Sequence, residues 1–240
     1  MRSRTIVFGL LIFSVLGLWC AASAQDFASW ATCTNKNEER AARIAACTLA
    51  IDSGKATTGS LAILLYNRGN MYLAGGAIKQ ALADFNRALS LDQKFVDAII
   101  SRGKTFMKNG EADRAVPDFD RAIRLNPNEA AVFRYRGLGY RQLGDYDKAI
   151  LDYSSAIRLE PQNAKTYIDR GAVFYVKTYY YRALEDFDTA LKLDPNYVEP
   201  LYGRGMARQK LGDAEGAADV AAAVAKQPNI AAMMAAAGVK

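Results

Sequence analysis

Histidine is absent from the 240-residue chain, so no imidazole is available as a catalytic base or a metal ligand. The chain has no glycine-rich phosphate-binding loop. Its three cysteines, Cys20, Cys33 and Cys47, do not have the C-x-x-C spacing of redox sites. The net charge of +6 is mild, and no dense basic stripe of the kind that binds nucleic acid is present. The sequence therefore predicts a protein that is not an enzyme and has no cofactor, metal site or nucleic-acid partner.

The first 24 residues have the features of an export signal. A basic start at Arg2 and Arg4 is followed by a short apolar run that ends in Ala-Ser-Ala. This pattern is typical of a secretory signal peptide, so we predict cleavage after Ala24 and a periplasmic or secreted mature protein. The alternative is an uncleaved anchor in the inner membrane, because the apolar run approaches the ~20 residues that span a bilayer.

A pattern with a period of 34 residues fills most of the remaining chain. Each unit has two stretches with the apolar spacing of a helix, separated by a turn. In the third unit the turn is Leu143-Gly144-Asp145, where Gly144 can adopt a positive φ. Glycines stand in register at Gly69, Gly103, Gly137, Gly171 and Gly205, and the aromatic residues of the second stretches at Phe85, Phe119, Tyr153 and Phe187.

This pattern resembles the tetratricopeptide repeat. The resemblance implies an all-α fold, a right-handed superhelical solenoid of helix-turn-helix repeats. We expect a degenerate N-terminal repeat or cap at 25–61 and a C-terminal capping region at 213–240, since the terminal repeats of solenoids are atypical. The alternative for the C-terminal region is a dimer contact through Met233 and Met234. The predicted repeats span 62–95, 96–129, 130–163, 164–197 and 198–231, the last being degenerate.

Cys33 and Cys47 remain when the signal peptide is removed. Two cysteines in an exported chain favour a disulfide. With 13 residues between them, the chain-entropy model gives a stabilisation of about 3 kcal/mol. We predict a structural rather than a redox role, because no histidine is present to activate a thiol.

Arginine precedes the register glycine in all five repeats, and aspartate follows 16 residues later in four of them. A guanidinium group binds a carboxylate through two hydrogen bonds. We therefore predict a structural ladder of Arg–Asp pairs between first and second helices, within a repeat or across to the next. A row of arginines that binds an anionic ligand is the alternative, but it leaves the aspartates unexplained. The ladder residues are Arg68, Arg102, Arg136 and Arg170 with Asp84, Asp118, Asp152 and Asp186, and the fifth arginine is Arg204.

In the family that the chain resembles, the first helices line a concave groove. Carried over by repeat position, the groove of this chain combines aromatic and apolar residues with an excess of basic ones, which suits a protein or peptide partner, preferably an acidic one. The alternative is an ordinary solvated face. The predicted groove residues are Tyr66, Asn70, Ile100, Lys104, Arg134, Leu138, Arg141, Lys165, Ile168, Tyr175, Tyr202 and Met206.

Two functions remain open. The first is a protein-interaction scaffold or assembly factor in the bacterial envelope, since an exported, cysteine-paired repeat chain resembles such proteins of Gram-negative bacteria. The second is a structural subunit that self-associates, for example as a homodimer, or an adaptor held at the membrane by an uncleaved signal segment. Either would use the convex face or the C-terminal end.

Overall fold

The computed structural model describes residues 28–240, and the predicted signal peptide at 1–24 lies outside the described residues. Within this part of the chain thirteen helices follow one another and no strand occurs. None of these thirteen is both long and apolar enough to cross a membrane. The helices are α1 (28–34), α2 (Arg40–Asp52), α3 (Thr58–Ala74), α4 (Ile78–Leu91), α5 (Val96–Lys108), α6 (Ala112–Leu125), α7 (Ala130–Gln142), α8 (Tyr146–Leu159), α9 (Ala164–Val176), α10 (Tyr180–Leu193), α11 (Glu199–Lys210), α12 (Glu215–Lys226) and α13 (Ile230–Ala236).

The chain divides into two compact units, with the boundary between Thr105 and Phe106, inside α5. In the first unit α2 packs on α3 and α3 packs on α4. In the second unit each helix from α6 to α12 packs on the next, and α13 packs on α11 and α12. The predicted all-α fold of repeated helix pairs is confirmed.

Aromatic rings explain why glycine recurs in the first helices. A Cβ atom added at Gly137 would lie 2.7 Å from the ring of Tyr153, and one added at Gly69 would lie 2.8 Å from the ring of Phe85. Both rings are fully buried. Because no side chain fits between helix and ring, glycine accompanies the aromatic residue in these helix pairs.

The turns between paired helices need a left-handed residue. Gly144 has a φ of 79°, which confirms its predicted role, and Gly110 and Gly212 have nearly the same value. The corresponding residue between α9 and α10 is Thr178, with a φ of 63°. A β-branched residue is rare in this conformation, so this turn is the strained one of the set.

Near the start of the first unit, Cys33 and Cys47 lie at disulfide-bonding distance. Their sulfur atoms are 2.03 Å apart, and both residues are fully buried. Arg43 donates a hydrogen bond from Nε to the main-chain oxygen of Cys33, at 3.3 Å. The pair thus joins the segment around α1 to helix α2.

Candidate functional site

Arg136 links three helices of the second unit. Its Nε and Nη2 atoms donate to the two carboxylate oxygens of Asp152 on α8, at 2.8 and 2.6 Å. Its Nη1 atom donates to Asp120 on α6, at 2.7 Å. Asp152 is buried, and its carboxylate raises the pKa of Arg136 above the ordinary range. The predicted Arg–Asp pair therefore forms within the repeat, and a second contact reaches back to the preceding one.

The same geometry recurs elsewhere in the chain. Three further arginines each donate two hydrogen bonds to an aspartate of their own repeat and one to the preceding second helix. Arg102 donates to Asn86 on α4, and Asp118 is buried. The recurring sets are Arg68 with Asp84 and Thr48, Arg170 with Asp186 and Ser154, and Arg204 with Asp219 and Asp188.

The backward contacts were missed from the sequence, although a signal for them exists. Polar residues stand in the 34-residue register 16 positions before the arginines, at Asn86, Asp120, Ser154 and Asp188. Asp219 was missed as well, because it follows Arg204 by 15 positions instead of 16.

The predicted groove residues of the first unit lie on helices α3 and α5. Tyr66 is half-buried, with its ring centroid 5.0 Å from that of Phe95. Asn70 and Ile100 are also half-buried, whereas Lys104 is exposed. Within this unit, Lys104 is therefore accessible to a partner, whereas Tyr66, Asn70 and Ile100 are accessible only in part.

In the second unit, a cavity of about 320 Å³ brings together four predicted groove residues. Its polar wall contains Arg134, Arg141 and Lys165, and Ile168 lies beside them. We call the side of α7, α9 and α11 that faces this cavity the inner face. Tyr197, Glu199 and residues of α13 complete the lining, together with Asp169 and Ala172.

The inner face contains one ion pair that the sequence did not predict. Arg134 donates from Nε to a carboxylate oxygen of Asp169, at 2.7 Å. Burial raises the pKa of Asp169, while Arg134 and Arg141 oppose that shift. Within residues 28–240, Arg141 and Lys165 form no salt bridge, and Glu199 is the opposing carboxylate in the lining, so the cavity has a small excess of positive charge.

Tyr153 places a hydroxyl group near this charged cluster. The residue is fully buried, and its hydroxyl has no hydrogen-bond partner within the described part of the chain. Burial raises its pKa, and Asp169 adds to the effect. The register equivalents Phe85, Phe119 and Phe187 have no hydroxyl.

Two groove residues are covered by the chain itself. Tyr175 and Tyr202 are 4% and 7% exposed, because Ile230, Met234 and Val239 pack against them. This differs from the predicted open aromatic surface. Leu138 and Met206 are half-buried. The sequence predicted a capping region at 213–240, or a dimer contact through Met233 and Met234. It did not predict that residues 230–240 lie on the inner face.

Family models agree with the repeat pattern. A model described as tetratricopeptide repeat matches residues 100–164 and 180–230, and a model described as TPR repeat matches residues 69–110. A sequence comparison with curated proteins gave no match.

Solved structures with the same fold share little sequence with this chain. The crystal structure of MamA protein has a TM-score of 0.65 at 20% identity and covers 72% of this chain and 95% of its own. YrrB, described as a TPR protein with an unusual peptide-binding site, has a TM-score of 0.63 at 22% identity and covers 79% of this chain and 95% of its own. A tetratricopeptide repeat protein from Parabacteroides merdae has a TM-score of 0.68 at 21% identity and covers 78% of this chain and 73% of its own. At these identities the similarity establishes the fold alone.

Proposed function

The chain belongs to the tetratricopeptide repeat family, and we propose that it is a non-enzymatic scaffold that binds an acidic segment of a protein partner on its inner face. The observation that carries this proposal is the cavity lined by Arg134, Arg141 and Lys165. Two of these cations have no carboxylate partner among residues 28–240, so an incoming carboxylate would gain charge-assisted hydrogen bonds. Ile168 and Ala172 supply apolar surface beside them.

The ladder arginines are not part of this proposed site. Their guanidinium groups already bind aspartates of their own chain, which supports a structural role. YrrB, a TPR protein with an unusual peptide-binding site, shares this fold, which supports a peptide partner.

We propose that the protein works in the bacterial envelope. The pattern of residues 1–24 supports export, with inner-membrane anchoring as the alternative. The sulfur atoms of Cys33 and Cys47, at bonding distance, support a disulfide formed in an oxidising compartment. The intact mass of protein recovered from a periplasmic extract tests this, and a mass that retains residues 1–24 contradicts cleavage.

Charge reversal of the cavity tests the binding site. In Arg141→Glu/Lys165→Glu, a partner captured from an envelope extract should associate more slowly, and the rate should depend less on salt. Arg124→Glu/Lys192→Glu is the matched control, because both side chains are exposed and lie on the second helices α6 and α10. Equal association of both variants with the partner would place binding elsewhere.

Self-association is the second candidate function. Leu151 on α8 and Tyr181 on α10 are 68% and 72% exposed, so the second helices carry apolar surface. Sedimentation of the purified protein distinguishes the two, because a scaffold for other proteins stays monomeric whereas a structural subunit forms larger species.

A further inference from the structure

The inner face of α9 and α11 already holds a peptide-like segment, which belongs to this chain. Ile230, Met234 and Val239 are almost fully buried there, against Tyr175 and Tyr202. Ile230 and Met234 lie one helical turn apart on α13, and Val239 follows the end of the helix. All three belong to the same buried cluster.

Two features fit this segment to the surface beneath it. The Tyr175 hydroxyl donates to the main-chain oxygen of Lys240, at 2.9 Å, and burial raises the pKa of Tyr175 to about 12. Gly238 has a φ of 90°, and a Cβ atom there would lie 2.5 Å from the side chain of Val176. Glycine is therefore required at this position for both conformational and steric reasons.

The segment has few other interactions that hold it in place. Helix α13 has seven residues and no side-chain cap, and a helix this short is not stable without packing. Its outward residues are exposed, among them Ala231 and Ala235. Three buried side chains and the half-buried Ala237 thus order eleven residues, a smaller apolar contact than each pair of long helices makes.

We propose that the inner face of α9 and α11 is a groove for a short apolar helix followed by glycine, and that a partner segment with this pattern replaces residues 230–240. The groove supplies the rings of Tyr175 and Tyr202, and the Tyr175 hydroxyl donates a hydrogen bond to a main-chain oxygen of the docked segment. Such a surface recognises a helix by its apolar positions and a backbone by its carbonyl. This groove adjoins the proposed acidic site, whose lining includes Met233, Met234 and Ala237 of the docked segment, but the inference rests on the tyrosines and not on the cations.

A labelled peptide of residues 227–240 tests the groove in the full chain. In Ile230→Asp/Met234→Asp the attached segment is released, so this variant should bind the peptide at least ~10-fold more tightly than the parent, in which the docked segment competes. Ala231→Asp/Ala235→Asp is the matched control, because it adds the same charges at exposed positions of α13 and should bind like the parent. A peptide with Gly238→Ala should bind at least ~10-fold more weakly to the released variant.

Failure of the folded released variant to bind the wild-type peptide would overturn the proposal. Hydrogen exchange of the parent chain provides a test that needs no variant: amides of α13 should exchange at least ~100-fold faster than those of α9. Equal protection would identify residues 230–240 as a permanent cap and overturn the proposal. Tyr175→Phe separates the two sites: it removes the hydroxyl that donates to Lys240 and should weaken peptide binding to the released variant, while it keeps Arg141 and Lys165 for the acidic partner.

Discussion

Two arginines on the same helix, Arg134 and Arg136, use the same guanidinium chemistry differently. Arg136 makes three hydrogen bonds to aspartates on two second helices, and equivalent sets recur in other repeats. Arg134 makes one hydrogen bond, to Asp169 on the next first helix, beside a cavity. Residues in register with Arg134 are Tyr66, Ile100, Ile168 and Tyr202. A contact that recurs from repeat to repeat holds the fold together, whereas a contact that belongs to one repeat distinguishes that repeat's surface.

The largest expected effect tests the repeated contact. Arg136→Ala should lower the free energy of unfolding by about 3–4 kcal/mol, because it leaves the buried Asp152 carboxylate without its partner. Chemical denaturation followed by circular dichroism measures the change. The double variant Arg136→Met/Asp152→Asn should cost less than the sum of the two single changes. Additive losses would show that the two side chains do not interact.

A feature that occurs once can still be structural, and the cysteine pair tests this. Reduction of Cys33 and Cys47 should lower the free energy of unfolding by about 3 kcal/mol, because the unfolded chain loses a loop constraint. Alkylation of the unreduced, unfolded protein is the check. If both thiols react freely, no disulfide is present.

The inner-face arginine should matter less for stability than Arg136. Arg134→Met should lower the free energy of unfolding by about 1–2 kcal/mol, because a single charged hydrogen bond to the half-buried Asp169 is lost. Both variants are measured by chemical denaturation under the same conditions. If Arg134→Met lowers the free energy of unfolding as much as Arg136→Ala does, the distinction between repeated and single contacts is lost.

The contrast also explains what the sequence could and could not predict. The paired helices, the Gly144 turn and the register glycines follow from a 34-residue period, because a recurring residue meets similar neighbours in most copies. Ladder arginines and aspartates were found for the same reason. Their backward partners were missed, since asparagine, aspartate and serine share the register position without sharing a residue type.

Features without a repeat were the ones that the sequence did not predict. The pair of Arg134 and Asp169 has no counterpart in register to draw attention to it. The position of residues 230–240 depends on long-range packing against Tyr175 and on the main-chain conformation of Gly238, and neither has a local sequence pattern. Repeat position thus predicted the cavity residues Arg134, Arg141, Lys165 and Ile168, but neither the pair with Asp169 nor the covering by residues 230–240.

The smallest expected effect concerns a departure from the repeat at Tyr153. Tyr153→Phe should raise the free energy of unfolding by about 1 kcal/mol, because a buried hydroxyl without a partner in the described part of the chain is removed while the ring remains. Phe119→Tyr is the reciprocal control: it adds a hydroxyl at the equivalent buried position of the preceding repeat and should destabilise. Both changes are measured by chemical denaturation. If Tyr153→Phe destabilises the protein instead, the hydroxyl has a binding partner within the charged cluster around Asp169, and Tyr153 belongs with Arg134 among the residues that distinguish the third repeat.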